Sequence, residues 1–259
     1  MSTLWCVLLL WIAGPVWAQQ NVILNVGYGG IWYESEDLDR FVRTFNTVND
    51  SALAVPFESF ENSRGWHFDA GYEYVYEDVV SISFITGYHR YTEDRNAEFT
   101  NGTGRDLRLS MRDLSETMEI AIYTERGAFG PLVEVVNRKI VLISEHVDED
   151  GTLSRGLSEP LNGKYTGFSW GMNVGGSLSM ELVAPLFLTA RLTYPILTFG
   201  EDTLFDGNLD KVETDSNYFP ADYALFLEGT RRPRRNGISE NLQGLQFSLS
   251  LTIYMPLVE

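Results

Sequence analysis

The chain predicts an all-β protein, an eight-stranded antiparallel up-and-down transmembrane β-barrel with long extracellular loops. Three observations carry that expectation: one long alternating segment, the recurrence of similar segments, and the spacing between them. From Phe168 to Leu182 the residues Phe168, Trp170, Met172, Val174, Leu178, Met180 and Leu182 share one parity. Gly167, Ser169, Gly171, Asn173, Gly175, Ser177, Ser179 and Glu181 share the other. A period of two is the period of a strand, whose successive side chains point to opposite faces. Ordinary strands average about 5–6 residues, whereas a tilted strand crossing a bilayer needs roughly 9–11. Large apolar side chains on one face and small polar ones on the other suit a wall between lipid and a polar interior.

Before the first strand, Leu4–Val16 is an apolar stretch broken only by Gly14 and Pro15, ending in Val16-Trp17-Ala18. Small or short residues at the −3 and −1 positions predict signal-peptidase cleavage after Ala18. Residues 1–18 are therefore expected to be a signal peptide and 19–259 a single membrane domain. The stretch is shorter than the roughly 20 residues of a membrane-spanning helix. Cys6 is the one cysteine, so no disulfide can form within the chain and stability must come from packing and backbone pairing.

The strands follow in order. Val22, Leu24, Val26 and Tyr28 alternate against Ile23, Asn25, Gly27 and Gly29. Trp66, Phe68, Ala70, Tyr72, Tyr74 and Tyr76 oppose His67, Asp69, Gly71, Glu73 and Glu77, and Val80, Ile82, Phe84 and Tyr88 oppose Ser81, Ser83, Gly87 and His89. In the fourth segment Leu107, Leu109 and Met111 share a parity opposite to that of Met118, Ile120 and Ile122; a bulge near Arg112–Ser115 would reconcile them. Leu132–Val147 has charge on both parities but is rich in β-branched residues, which favours a strand. After Phe168–Leu182, the run Leu186, Leu188, Ala190, Leu192, Tyr194, Ile196 and the run Leu245, Phe247, Leu249, Leu251, Ile253, Met255 complete the set.

Short turns are expected at Glu77–Val79, Arg126–Pro131 and Val183–Pro185, and long links at about 34–64, 92–105, 148–164 and 200–241. Turns on one side and long loops on the other are characteristic of outer-membrane proteins. Trp32, Trp66, Tyr88 and Trp170 fall near the long loops, and Tyr76, Tyr123 and Tyr254 near the turns, as two interfacial aromatic belts require. Helices are predicted within the loops over Asp39–Asn49, with Phe41, Phe45 and Val48 on one stripe, and over Pro220–Glu228.

This pattern resembles the small bacterial outer-membrane β-barrel proteins of the OmpA-type and OmpX-type superfamily. The stretch Phe41-Val42-Arg43-Thr44-Phe45-Asn46 is similar to loop segments of Bacteroidetes-like porin-family barrels. The resemblance covers essentially all of 19–259 and is a match of pattern, not of motif. It implies contact with outer-membrane lipid and lipopolysaccharide, and with the barrel-assembly machinery during biogenesis. It departs at the C-terminus, where Tyr254-Met255-Pro256-Leu257-Val258-Glu259 replaces a terminal aromatic residue.

The formal net charge of −17 repels nucleic-acid phosphates and argues against such a partner. An interior charge network is expected from His67, Asp69, Glu73, His89, Glu181 and Arg191, because buried charges must pair; the expected ion pair is Glu181 with Arg191. Glu77 is also placed on that face. An eight-stranded barrel is narrow enough for side chains to fill, which argues against a wide pore. No serine stands near His67, His89 or His146 in a nucleophile motif, so no catalytic residue is assigned. The acidic runs Glu34, Glu36, Asp37, Asp39 and Asp148-Glu149-Asp150-Gly151 match no defined calcium loop, and neither metal nor cofactor is expected. Arg231, Arg232, Arg234 and Arg235 form a dense basic patch suited to lipopolysaccharide phosphates. The function expected is non-catalytic, an envelope-structural or surface-interaction role; a small-solute channel and a lipid-modifying enzyme are the alternatives.

Overall fold

A computed structural model of the chain describes residues 18–154, 163–199, 203–204, 238–239, 242 and 244–257. Its elements run β1 (Ala18–Trp32), α1 (Glu36–Asn49), β2 (Leu53–Val55), β3 (Asn62–Tyr76), β4 (Val80–Phe99), β5 (Gly104–Thr124), β6 (Gly127–Val147), β7 (Leu153–Ser154), β8 (Gly163–Val183), β9 (Leu186–Phe199), β10 (Thr203–Leu204), β11 (Ile238–Ser239) and β12 (Leu245–Pro256). Each of the eight expected strand segments lies within one of the long strands. The leader expected over 1–18 lies outside the described residues except for Ala18, which opens β1 opposite Tyr76. The helix expected over Pro220–Glu228 lies outside them as well.

All pairings are antiparallel. The order along the main sheet is β2-β4-β3-β1-β12-β9-β8-β6-β5, with β7 on β6 and a further pairing of β4 with β5. The expectation of an eight-stranded up-and-down barrel is corrected here. The sheet contains ten strands, since short β2 and β7 join it, and its strands do not close evenly round an axis. Unequal lengths are the physical reason: β4, β5, β6 and β8 have 20 or 21 residues, whereas β9 has 14 and β12 has 12. The surplus stands beyond the rest of the sheet at the end away from the tight turns.

That overhang also corrects the long loop expected over 92–105. Residues of β4 up to Glu98 pair with β5 from Gly104 onward, leaving only a turn in which the Thr103 amide and hydroxyl both donate to Asn101 Oδ1. Asp94, Asn96 and Glu98 face solvent there, so the apolar alternation that marks the rest of β4 is missing. No bulge occurs near Arg112–Ser115: the register runs unbroken through both neighbours. Leu107, Leu109 and Met111 are buried while Met118, Ile120 and Ile122 are exposed. The strand keeps one orientation, and its inner face changes from polar to apolar along its length.

The apolar inner surface of the overhang receives α1. Ser35 caps the helix, its Oγ accepting from the Leu38 amide at 3.1 Å, so the helix begins three residues before the expected Asp39. Leu38, Phe41, Val42 and Phe45 are buried against Ile31, Tyr33, Phe57, Phe60, Leu107, Leu109, Met111, Ile140 and Leu142. Phe45 and Phe57 rings lie 4.8 Å apart, and Asn46 locks the following loop by exchanging two 2.9 Å hydrogen bonds with the Phe57 backbone. A second clasp holds the loop to β4: Glu93 accepts from Tyr33 Oη at 2.7 Å and from the Glu61 amide at 3.1 Å, and it pairs with Arg95. Burial and the Glu93 carboxylate push the Tyr33 phenol well above its ordinary value, so Tyr33 remains a donor.

Away from the overhang the sheet is inside-out by the standard of a water-soluble protein. Its convex face exposes Val26, Phe68, Tyr72, Ile82, Phe84, Leu114, Ile120, Val133, Leu178, Leu192, Leu249 and Leu251. Its concave face buries Asn25, Asp69, Glu73, Ser83, Thr117, Glu119, Glu134, Asn173, Ser177, Thr189 and Thr252. No described helix is long and apolar enough to cross a membrane.

Candidate functional site: a buried charge network

Midway along the concave face, β4 and β9 bring donors into contact with one carboxylate of β3. Asp69 accepts from Arg191 Nη1 at 2.9 Å and lies 3.1 Å from His89 Nε2. His89 Nδ1 is 3.0 Å from the Tyr91 hydroxyl, so the imidazole is strung between a phenol and a carboxylate. Arg191 Nη2 approaches Glu119 at 3.6 Å, and Ser177 Oγ donates to Glu119 at 2.6 Å. With its side-chain amide turned so that both atoms are satisfied, Asn25 accepts from Arg191 Nη2 and donates to Thr252 Oγ1. Across the interior Asn173 donates to Glu134 at 2.8 Å. Alternation put these residues on one face; the register then decided which of them meet.

Glycines make the space. A Cβ on Gly87 would stand 2.6 Å from both Asp69 Oδ1 and Ser115 Oγ, and one on Gly27 would stand 2.5 Å from the His67 ring. Only a residue without a side chain fits opposite the crowded ring. His67 is buried with its Nε2 3.9 Å from Asp69, and neither ring nitrogen has a hydrogen-bond partner. A cavity of about 20 Å³, room for one water molecule, lies between Asp69, His89, Tyr91, Glu134, Arg191 and Gln246.

Two further layers flank this centre. Toward the tight turns Glu73 accepts from Asn21 at 2.8 Å and from Tyr123 at 2.9 Å. Toward the overhang the fully buried Arg138 meets Asp113 through Nε at 2.8 Å and Nη2 at 2.6 Å, and its Nη1 donates to the Leu242 carbonyl. The fork-to-fork geometry gives each charge two directed bonds.

Of the six network residues expected from sequence, His67, Asp69, His89 and Arg191 come together and Glu73 sits one layer away. Glu181 is corrected. It is exposed at the end of β8, paired in register with Phe187 beside an irregularity. Arg191 lies opposite Ser177, not Glu181, and takes Asp69 and Glu119 instead. Glu77, also expected inside, is exposed at the β3–β4 turn. Sequence reasoning missed Asp113, Glu119, Glu134 and Arg138. The signal existed, because Met118, Ile120 and Ile122 facing outward require Asp113 and Glu119 to face inward; the supposed bulge concealed it.

Among the described residues no group of His, Cys, Asp or Glu is arranged to hold a metal ion. The run Asp148–Gly151 forms a hairpin tip, with the Gly151 amide donating to the Asp148 carbonyl and the Thr152 amide to Asp150 Oδ1. Glu36, Asp37 and Asp39 fall at the start of α1. Arg231, Arg232, Arg234 and Arg235 lie outside the described residues.

No protein-family model matches the chain, and no curated protein matches it. Its fold is similar to several solved outer-membrane proteins. The outer membrane protein OprG from Pseudomonas aeruginosa is 9% identical, with a TM-score of 0.40, over 92% of this chain and 97% of that one. The attachment invasion locus protein of Yersinia pestis, solved with a heparin analogue, is 9% identical with a TM-score of 0.38 over 92% and 97%. The outer membrane protease OmpT from Escherichia coli is 10% identical with a TM-score of 0.39 over 93% and 96%. Likenesses at this level carry no argument about activity.

Proposed function

We propose that this is an integral outer-membrane β-sheet protein with a non-catalytic, envelope-structural or surface-interaction role. One observation supports it above the rest: exposed aliphatic and aromatic side chains cover the convex face, while the concave face buries charges in pairs. In water such a convex face is an aggregation hazard; in lipid it is the stable arrangement. The interior is filled by side chains bonded to one another, which supports an immobile plug over a conduit. Above the lipid, the capped overhang supplies a rigid surface at which contacts with other molecules can be made.

Cell fractionation and planar-bilayer recording test the reading together. The protein is expected in the outer-membrane pellet after a urea wash, and the purified protein is expected to be electrically silent. Recovery in the soluble fraction would remove the membrane assignment, and steady single-channel conductance would replace the plug with a channel. Lipid A of unchanged mass after overexpression is expected; an altered mass would make the protein a lipid-modifying enzyme.

A further inference from the structure

A single cross-strand row on the convex face concentrates positive charge at one level of the sheet. Trp66 of β3 lies opposite Arg90 of β4, Arg90 opposite Arg112 of β5, Arg112 opposite Lys139 of β6, and Lys139 opposite Phe168 of β8. Trp66, Arg90, Arg112 and Phe168 are exposed and Lys139 is half-buried. The Lys139 ammonium sits 5.2 Å above the Phe168 ring, and Trp66 packs edge-on against Tyr28 at 5.2 Å. Three cations thus stand side by side, bracketed by aromatic rings, in a chain whose net charge is −17.

Like charges directly opposite one another on adjacent strands repel, and the row offsets this only at Lys139, through the Phe168 ring. Arg90 and Arg112 have no ion-pair or hydrogen-bond partner among the described residues. Nearby outward-facing carboxylates are engaged elsewhere: Asp94 holds Arg108 at 2.6 Å, and Glu116 accepts from Thr86 at 2.9 Å. The next row toward the tight turns is Phe68, Tyr88, Leu114, Asn137 and Trp170, largely apolar and aromatic. Beyond the cations, toward the overhang, Asp94, Asp106 and Arg108 are exposed. The row therefore stands where the greasy band gives way to charged surface, the level of lipid headgroups.

We infer that Arg90, Arg112 and Lys139 form a binding row for the phosphate groups of an anionic outer-leaflet lipid, whose acyl chains lie along Tyr88, Leu114 and Trp170. Charge complementarity selects this occupant. Neighbouring strands are about 4.8 Å apart, so the three cations can engage one phosphate or two adjacent ones, and guanidinium forks match phosphate oxygens. The inference rests on the membrane reading above and adds to it a site and a ligand chemistry.

The test uses the full chain folded in detergent, with lipid A carrying its phosphates, the same lipid with phosphates removed, and inorganic phosphate as probes. Binding is read by native mass spectrometry and by the shift in melting temperature. Wild-type protein is expected to bind and be stabilised by phosphorylated lipid A alone. The variant Arg90→Gln/Arg112→Gln/Lys139→Gln is expected to bind roughly a hundredfold more weakly, from about 1 kcal/mol per cation near a lipid surface. Arg108→Gln, outside the row, is expected to bind as wild type. Because the triple variant removes repulsion, its melting temperature without lipid is expected to equal or exceed that of wild type. Undiminished binding by the triple variant, or equal stabilisation by dephosphorylated lipid or by phosphate ions, would overturn the inference. Fractionation of the same variants separates the two proposals: wild type absent from the outer membrane would defeat the membrane reading, whereas wild type present there with lipid binding indifferent to the row would defeat only this inference.

Discussion

At the scale of single residues, the buried Arg138–Asp113 pair is held by directed bonds from all three guanidinium nitrogens. Arg138 and Asp113 show what this means energetically. Each has been taken out of solvent, and the attraction between them offsets a desolvation cost of several kcal/mol per ion. Removing one partner strands the other, so Arg138→Ala is expected to lower unfolding free energy by about 3–5 kcal/mol. Replacing both, as Asp113→Leu/Arg138→Met, is expected to recover most of that loss. Equilibrium unfolding of the folded protein in detergent by urea checks both; equal destabilisation by the single and double variants would mean that the bond to the Leu242 carbonyl, not the ion pair, carries the stability. Arg191 differs in kind, because it is shared between Asp69 and Glu119 and no single partner accounts for its place.

Strands and turns obey more local rules. The β3–β4 hairpin turns on Glu77 and Asp78, which have φ of 50° and 55°. The Val79 amide donates to the Tyr76 carbonyl, so Glu77 and Asp78 are the central positions of this turn, and positive φ at both suits Asn-Gly far better than Glu-Asp. The double substitution Glu77→Asn/Asp78→Gly is expected to raise stability by about 1 kcal/mol, seen as a higher urea midpoint with unchanged slope. A lower midpoint would show that one of these carboxylates has an interaction outweighing the backbone strain. All eight long strands were legible in the sequence, including 168–182, whose outer and inner sets are disposed as the alternation predicts except at Glu181, which is exposed at the strand's end. Ends of strands were not. In the overhang both faces of β4 and β5 change character, Asp94 and Asn96 appearing outside and Leu107 and Leu109 inside, and a pattern read from one pairing of outer and inner faces fails when the pairing changes.

Considered whole, the molecule stacks two different interiors under one continuous sheet. Bonded charges occupy the span whose outer face is apolar, and a hydrocarbon core occupies the span whose outer face is charged. Phe45 sits in the second, between Phe57 and Phe99. Truncating it to Phe45→Ala is expected to cost about 3–5 kcal/mol locally, releasing α1 from the overhang without disturbing the rest of the sheet. Limited proteolysis of protein in intact cells reads this directly: new cleavage within 36–60 with unaltered membrane retention is expected, while loss of the whole chain from the membrane would show that cap and sheet fold as one unit.

The amino-acid sequence by itself determined which segments are strands, which parity faces outward and which faces inward, and that His67, Asp69, His89 and Arg191 would share one face. Those properties follow from the two-residue period, which needs nothing beyond the local chain. Tertiary structure alone decided the partners. Whether Arg191 meets Glu181 or Asp69 depends on register and on strands distant in sequence, as does the assembly of Arg90, Arg112 and Lys139 from three strands into one row. It decided the closure as well: strand lengths, which are not a periodic property, and the short added strands set an uneven ten-stranded sheet in place of a regular eight-stranded barrel. Periodicity records which solvent each face meets, and only packing in three dimensions selects which residues meet each other.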